Sequence, residues 1–157
     1  MKKKTGLLFI ILILMLTISC KPKLYVDFDP PSSLDSGLFP ASIEGKDAKI
    51  SEDPQPEGFS GYVAVYGDND MLIRVVKASS AEEADNYFKS YLVPYYDKLP
   101  TNHRVRENDK FVAEGIDIHE THWNSWVNKN WIFTISGKTE ADLKSAIEAF
   151  EYCEFGL

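Results

Sequence analysis

The sequence predicts an α+β domain in which two helices pack on one face of an antiparallel sheet. Residues 131–150, WIFTISGKTEADLKSAIEAF, have the pattern of a strand, a tight turn and an amphipathic helix. Residues 71–91, MLIRVVKASSAEEADNYFKSY, show the same order of parts further upstream. The hydrophobic fraction of 44% supplies enough apolar material for one packed core. Two helices on one face of an antiparallel sheet are the simplest α+β arrangement of these parts.

A β-hairpin is predicted in the first half of this domain. Residues 61–66 and 71–77 alternate as strands do, and residues 67–70 between them tolerate turn conformations. Upstream of the hairpin, Ile43 and Ile50 are predicted to be buried anchors.

A helix is predicted to follow the hairpin. Ser79 or Ser80 is expected to cap it, because a glutamate stands three residues after each serine, as in a capping box. Pro94 is predicted to end the helix, since proline inside a helix removes a hydrogen bond. The predicted apolar stripe of this helix comprises Ala84, Phe88, Tyr91 and Leu92.

The second half is predicted to contain four strands and a closing helix. The strands are expected at residues 103–106, 111–119, 121–127 and 131–136, with a turn at 108–109. One face of the second of these strands is predicted to carry Val112, Ile116 and Ile118. Thr139 is expected to cap the closing helix, with Asp142 three residues later. The buried stripe of that helix is predicted to comprise Leu143, Ala146, Ile147 and Phe150.

This order of elements, the aromatic-rich final hairpin and the closing helix ending in Phe150 resemble the PsbP-like fold. The resemblance covers residues 40–152 and is one of topology, without a diagnostic motif. It implies a fold shared with photosystem-associated and bacterial lipoprotein members. A ferredoxin-like fold is the alternative, and it needs one strand fewer in the second half.

Residues 1–19 have the features of a secretory leader. Three lysines form a positive start, and residues 7–16 are an unbroken apolar run. This run is shorter than the stretch of about 20 apolar residues that crosses a bilayer as a helix. A cleaved signal peptide is therefore favoured over a retained transmembrane helix.

The end of the leader, LTISC at residues 16–20, resembles the lipobox of bacterial lipoprotein signal peptides. The resemblance implies that the chain is cut before Cys20 and that the Cys20 sulfur carries a diacylglycerol, which with further acylation anchors the protein to a membrane. Thr17 departs from the leucine usual at this position. Lys21, where lipoproteins kept at an inner membrane often carry aspartate, implies the outer membrane if the host has two membranes. An ordinary cleaved signal with a chance cysteine and an uncleaved anchor are the alternatives.

These features divide the chain into a leader (1–19), a lipidated Cys20 with an extended tether (20–40) and a single α+β domain (41–157). The tether is predicted because this segment is rich in proline and serine. Fully stretched, such a segment reaches at most about 65–70 Å. Residues 24–28 are apolar enough to dock on the domain instead, and the sequence leaves both arrangements open.

The acidity of the chain argues against nucleic-acid binding. The formal net charge is −7, and the leader contains three lysines but no acid, so the rest of the chain is more acidic still. Such a domain repels nucleic acid and anionic lipid headgroups. The predicted partners are a membrane, through the lipid anchor, and an envelope protein.

One cluster of histidines resembles a metal-binding site in its residue types. His119 and His122 flank two residues between predicted strands, and a zinc site would need His103 or Asp117 as a third ligand. The spacing is not the His pair, four apart on a helix, of zinc proteases. Exposed histidines at a strand end are the other interpretation, and no metal is predicted.

No other segment predicts catalysis or a cofactor. The sequence contains no Gly-rich nucleotide-binding pattern, Walker loop or G-x-S-x-G elbow. Cys153 is predicted to be a small packed residue, because no base or orienting group is suggested beside it. Turn chemistry explains Asp68, Asn69 and Asp70, since the full calcium-loop pattern is missing.

Aromatic side chains supply the candidate binding surface. Exposed tryptophan and tyrosine are common anchors at protein interfaces. Trp123 and Trp126 have opposite parity on a strand, so at least one of them is expected on the surface. The alternative is that the aromatic side chains fill the core. The candidate surface comprises Trp123, Trp126, Trp131, Tyr95 and Tyr96.

Together these features predict a lipid-anchored, extracytoplasmic protein that acts as a non-enzymatic binding or accessory module of the cell envelope. A small-ligand sensor or carrier with an aromatic pocket is one alternative. A metal-dependent hydrolase with a site near His119 and His122 is another. The sequence leaves the partner and the oligomeric state open.

Overall fold

The structure, a computed structural model, describes residues 23–107 and 110–156, and for residues 104–107, 110 and 111 the description is limited to the backbone. The leader, Cys20 and the turn predicted at 108–109 lie outside the described residues. No helix in the described ranges is long and apolar enough to cross a membrane.

Strands make up most of the regular structure. They are β1 (Lys23–Tyr25), β2 (Ser42–Ile43), β3 (Lys46–Glu52), β4 (Phe59–Tyr66), β5 (Met71–Ala78), β6 (Thr101–Glu107), β7 (Lys110–Ile116), β8 (His122–Asn128), β9 (Trp131–Gly137) and β10 (Glu154–Gly156). The α-helices are α1 (Ala81–Tyr87), α2 (Val93–Tyr96) and α3 (Glu140–Ala149), and a π-helical turn, Phe88–Leu92, joins α1 to α2. A short 3-10 helix lies at Ser36–Leu38.

Eight of these strands form one antiparallel sheet in the order β2-β3-β4-β5-β9-β8-β7-β6. Strands β5 and β9 pair at its centre, where Ile73 lies opposite Ile135. The predicted first hairpin is confirmed as β4 and β5, joined by a turn in which Gly67 and Asn69 have positive φ angles. The α+β class and the antiparallel sheet are therefore confirmed.

The helices pack on opposite faces of this sheet. Helix α3 packs against the odd-numbered side chains of the central strands, such as Ile73 and Phe133. Helix α1 and the turn after it place Phe88 against even-numbered side chains, Val76 and Ile132. Successive side chains of a strand point to opposite faces. The prediction that both helices share one face is therefore wrong.

The composition of the central strands explains this arrangement. Residues 71–76 and 131–136 carry apolar side chains on both faces, not on one. A strand that is apolar on both faces needs cover on both sides to exclude water from it. An eight-stranded sheet also does not match the ferredoxin-like alternative, which has a β-α-β-β-α-β order.

The first strand packs against the rest of the domain. Strand β1 pairs with β10 in a two-stranded antiparallel ribbon, in which Lys23 lies opposite Gly156. Leu24 and Val26 are buried in the same core cluster as Phe150, on the α3 side of the sheet. The ribbon and α3 therefore form one layer over the sheet.

An extended tether is predicted over residues 20–40, and for residues 23–40, which the structure describes, this prediction is wrong. Residues 24–28 dock on the domain, which was the alternative left open, and the Phe28 carbonyl accepts a hydrogen bond from the Asn128 side chain at 2.5 Å. The proline content suggested an exposed segment, but the alternation of Leu24 and Val26 with polar neighbours is a strand pattern. The folded domain thus includes residues 23–40.

Three isoleucines predicted as apolar contacts differ in burial. Ile43 is buried as predicted. Ile50 is 36% exposed, because β3 lies near the edge of the sheet and β2 pairs only with its first two residues. Strand β7 ends at Ile116, so Ile118 lies in the following turn and is 78% exposed. The predictions for Ile50 and Ile118 are therefore wrong.

Helix α3 begins with the predicted capping box. The Thr139 hydroxyl accepts a hydrogen bond from the Asp142 N–H at 3.1 Å, and the Asp142 carboxylate accepts one from the Thr139 N–H at 3.1 Å. A Cβ on Gly137 would lie 2.0 Å from the Leu143 nitrogen, so only glycine fits where β9 meets this helix. The predicted stripe of the helix, Leu143, Ala146, Ile147 and Phe150, is buried.

Candidate functional site

A helical ridge made of α1, the π-helical turn and α2 lies on the sheet face opposite α3. Ser80 caps the ridge by accepting a hydrogen bond from the Glu83 N–H at 3.1 Å, as one of the two predicted caps requires. Phe88 and Tyr96 are buried beneath the ridge against the sheet. These contacts fix which side of the ridge faces solvent.

The π-helical turn lets the ridge continue past Pro94. Proline lies in the first turn of α2, where its missing N–H leaves no helical hydrogen bond unmade. The prediction that Pro94 ends the helix is therefore wrong, since the chain stays helical to Tyr96. Single π-helical turns within α-helices occur frequently at functional sites.

The exposed side of the ridge carries a row of tyrosines at a spacing of four residues. The Tyr87 and Tyr91 ring centroids are 5.1 Å apart. Tyr95 meets Trp123 of β8 edge to face at 6.4 Å, and Phe59 of β4 lies 5.3 Å from Tyr87. Tyr91 is 66% exposed and Tyr95 is 44% exposed. We call Phe59, Tyr87, Tyr91, Tyr95 and Trp123 the aromatic strip.

A chain of buried hydroxyl groups attaches the end of the ridge to the sheet. The Tyr96 hydroxyl lies 2.9 Å from the Ser125 oxygen, which lies 2.7 Å from the Thr134 oxygen. Burial raises the pKa of Tyr96, so this hydroxyl keeps its proton and can donate it to the chain. The position of the neighbouring Tyr95 is thereby fixed relative to β8.

A partly buried ion pair supports the other end of the aromatic strip. The Arg74 guanidinium donates to the Asp53 carboxylate, and it also interacts with Tyr87 of the strip. Burial lowers the pKa of Arg74, but its hydrogen bonds to Asp53 and Tyr87 outweigh burial and raise the pKa above its ordinary value. The Arg74 charge is therefore compensated within the protein.

Asp117 holds the tryptophan of the strip in place. Its carboxylate accepts hydrogen bonds from the Trp123 indole N–H at 3.0 Å and from the backbone N–H groups of His119 and Thr121 at 2.8 and 3.0 Å. Burial raises the pKa of Asp117, but these hydrogen bonds outweigh it and hold the pKa below its ordinary value of 3.8. The ionised carboxylate is therefore the form that positions the ring.

Acidification is expected to release the Trp123 ring. Because the folded-state pKa of Asp117 lies below 3.8, its stabilising contribution is present above pH 3.8 and is lost as the pH falls through the folded-state value. Tryptophan fluorescence of the native protein should therefore change in this acidic range.

The Asp117→Asn variant isolates this step, because an amide cannot accept all three hydrogen bonds as the carboxylate does. Its fluorescence should be altered already at neutral pH, and the acid-induced change should shrink. Asp68→Asn, in the exposed turn between β4 and β5, is the control and should behave as the native protein. Identical acid titrations of native protein and Asp117→Asn would contradict the assignment.

The structure separates the five aromatic residues predicted to form the binding surface. Trp126, Trp131 and Tyr96 are buried and belong to the core, so their assignment to a surface is wrong. Tyr95 and Trp123 are partly exposed and meet in the aromatic strip. The reason is that β8 and β9 are interior strands covered on both faces, which the parity of their tryptophans does not show.

Tyr87 and Tyr91 complete the strip and were not among the predicted surface residues. The sequence groups Tyr91 with Ala84, Phe88 and Leu92 at helical spacing, but Tyr91 is 66% exposed whereas Ala84 and Phe88 are buried. The signal that could have found both residues is their spacing of four from each other and from Tyr95.

The residues considered for metal binding have other surroundings. His119 is exposed in the turn after β7, and His122 begins β8 opposite Ile116. The Asp117 carboxylate is occupied by the hydrogen bonds that close this turn. Within residues 23–107 and 110–156, no group of three potential metal ligands is found.

Cys153 and Asp70 have structural surroundings. Cys153 is buried as predicted, and burial raises the pKa of its thiol. The Asp70 carboxylate forms an ion pair with the Lys46 ammonium group at 3.0 Å, next to the turn that Asp70 helps to form.

A surface hollow of about 470 Å³ lies beside Cys153 and is lined by Phe28, Phe155 and three glutamates. The aromatic strip and the tryptophans do not contribute to this hollow.

No protein-family model and no curated protein sequence matches this chain. Among solved structures, a protein from Thermotoga maritima described as a GTP binding regulator is similar, with a TM-score of 0.55 and 21% sequence identity. The similarity covers 78% of this chain and 91% of the Thermotoga chain. At this identity the likeness shows the fold alone.

Proposed function

We propose that this protein is a lipid-anchored, extracytoplasmic binding module without enzymatic activity, which docks an envelope protein through the aromatic strip. The proposed anchor is Cys20, at the end of a leader that resembles a lipoprotein signal peptide, and Lys21 favours the outer membrane in a host with two membranes. The observation that carries the binding role is the exposure of Tyr91 and Tyr95 on a supported helical ridge.

The aromatic strip has the chemistry of an interface anchor. Tyrosine and tryptophan contribute large contact areas and lose little side-chain entropy on binding, and both are enriched among the residues that dominate binding energy. Asp117 and the hydroxyl chain under Tyr96 hold the strip in one arrangement before a partner arrives. Such preorganisation lowers the entropy lost on association.

The proposal includes a PsbP-like fold, which the paired hairpins and the closing helix before Phe150 support. The description of the Thermotoga protein as a GTP binding regulator is compatible with a binding module. GTP itself is expected to leave partner binding unchanged, because the sequence contains no Gly-rich phosphate-binding loop. Adding GTP to the binding assay described next tests this point.

Replacing Tyr91 by alanine is expected to weaken partner binding by at least about 2 kcal/mol, or about 30-fold, as for other interface anchors. The assay is affinity capture of the full-length protein from detergent-solubilised membranes, followed by titration against the captured partner. Tyr95→Ala should reduce binding in the same direction.

Ile118→Ala is the matched control, because Ile118 is an exposed apolar residue outside the strip. It should capture the partner as the native protein does. Tyr91→Ala and Ile118→Ala should retain the native unfolding temperature within experimental error, since the replaced groups are largely exposed. Undiminished capture by Tyr91→Ala and Tyr95→Ala, or substrate turnover by the purified protein, would overturn the proposal.

A further inference from the structure

The point at which the domain begins determines how far it can lie from its anchor. Lys23 is already paired with Gly156 in the β1–β10 ribbon, and the side chain after it is buried. Cys20 is three residues upstream of Lys23. At a maximum of about 3.6 Å per residue, the Cα atoms of these two residues lie within about 11 Å of each other.

We infer that the folded domain rests directly against the lipid surface, with the β1–β10 ribbon toward the membrane and the aromatic strip turned away from it. This inference depends on the proposed lipid attachment at Cys20. A lipidated sulfur lies at the membrane interface, and the short connection limits any gap between that interface and Lys23 to at most about 11 Å.

A pair of aromatic residues, of which Tyr25 faces outward, lies beside this attachment point. Leu24 faces the core, so its neighbour Tyr25 faces away from the core and is 37% exposed. The Tyr25 and Phe28 rings meet edge to face at 5.5 Å. Aromatic rings with a polar end favour the headgroup region of a membrane. The ribbon thus presents a suitable contact to lipid at the place where the chain connection brings it.

The aromatic strip lies on the opposite side of the molecule. The ribbon belongs to the α3 layer and the strip to the ridge, and the eight-stranded sheet separates these two layers. Packed layers lie about 10 Å apart, so about 20 Å separates the ribbon from the ridge. When the ribbon faces lipid, the strip therefore faces the aqueous envelope.

This arrangement restricts the class of partner. A domain on an extended tether could search far from the lipid surface, whereas a domain held within about 11 Å of its lipidated residue cannot. The partner of the strip is therefore an envelope protein that presents its binding site close to the surface of the same membrane. The acidity of the domain opposes contact with anionic headgroups, but the short connection prevents its retreat.

Energy transfer to acceptor-labelled lipids tests the inference. The full-length protein is purified from membranes and reconstituted into zwitterionic vesicles. A donor dye is attached through Glu154→Cys, opposite Tyr25 on the ribbon, or through Tyr91→Cys on the strip. The parent protein controls for labelling at Cys153, which is buried and should not react in the folded state.

The Glu154→Cys probe is expected to transfer strongly and the Tyr91→Cys probe weakly. Inserting twelve Gly/Ser residues after Pro22 adds a flexible span of about 20 Å and should remove most of the transfer from the ribbon probe. In anionic vesicles, transfer from the ribbon probe should fall further in the insertion variant, because the acidic domain is then free to move away from lipid of the same charge. With the native connection, transfer should be the same in anionic and zwitterionic vesicles.

Mass spectrometry of the same samples distinguishes a failure of this inference from a failure of the proposed lipid anchoring. Lipidated protein in which both probes transfer equally, or in which the insertion changes nothing, would overturn membrane apposition alone. An unmodified Cys20 would overturn the proposed anchoring and this inference with it. Lipidated protein with strong, insertion-sensitive transfer from the ribbon probe only is the supporting result.

Discussion

Replacing Phe133 by alanine is expected to lower the free energy of unfolding by about 3–5 kcal/mol. Phe133 lies at the centre of the core between the sheet and α3, and it is almost fully buried. Its ring stacks on Trp126 at 5.2 Å and lies 6.0 Å from Phe150 and 5.9 Å from Tyr152. Removing the Phe133 ring leaves a cavity that these rigid rings fill poorly. The cost in stability is therefore the sum of the lost transfer free energy of the ring and the lost packing contacts around it.

Urea denaturation monitored by circular dichroism measures this loss. Phe133→Leu keeps most of the buried volume and should lose clearly less stability than Phe133→Ala. Ile118→Ala, at an exposed position, should change the free energy by less than about 0.5 kcal/mol. A Phe133→Ala protein as stable as the native one would show that the aromatic cluster is not the centre of the core.

Under the lipidation proposed at Cys20, replacing this residue by alanine is expected to move the protein from the membrane fraction to the soluble fraction almost completely. Without the sulfur no diacylglycerol can be attached, and each buried methylene of an acyl chain contributes about 0.8 kcal/mol to membrane binding. In residues 23–107 and 110–156 no membrane-spanning helix replaces this contribution. Fractionation of cells followed by immunoblotting measures the distribution.

Cys153→Ala is the matched control for this variant. The Cys153 thiol is buried in the core, so its loss should leave membrane attachment unchanged. If mass spectrometry of the native protein instead finds the initiating methionine, the apolar run at residues 7–16 acts as an uncleaved anchor. That result would refute lipidation as the means of attachment.

The parts of the fold that could be predicted from the sequence are those set by near neighbours. The hairpin of β4 and β5 follows from strand alternation around a turn with Gly67 and Asn69. The capping box of α3 depends only on Thr139 and Asp142, which are three residues apart. Both patterns specify the same structure in almost any surroundings.

The errors concern choices made by distant parts of the chain. The burial of Leu24 depends on β10, the last described strand, and no local signal identifies this partner. The placement of the two helices depends on which elements cover each face of β5 and β9. Local pattern shows that these strands are apolar on both faces but does not show what packs there.

Only part of the candidate site could be predicted, because its contacts also depend on distant parts of the chain. Tyr95 and Trp123 were identified by residue type, and their contact required the pairing of a helix with β8. Ordinary α-helical spacing places Tyr91 in one apolar stripe with Phe88 and Leu92. The π-helical turn at these residues changes that grouping, and it has no reliable signature in the sequence.

The pairing of the first strand with the last also governs when the domain can finish folding. A nascent chain emerges amino end first, so β1 exists long before β10 is synthesised. Contacts between residues so far apart in sequence form late and slowly. Until they form, Leu24 lacks its strand partner Phe155 and this segment is more accessible to proteases. Any chain truncated before Glu154 would therefore keep this segment exposed and be selectively degraded.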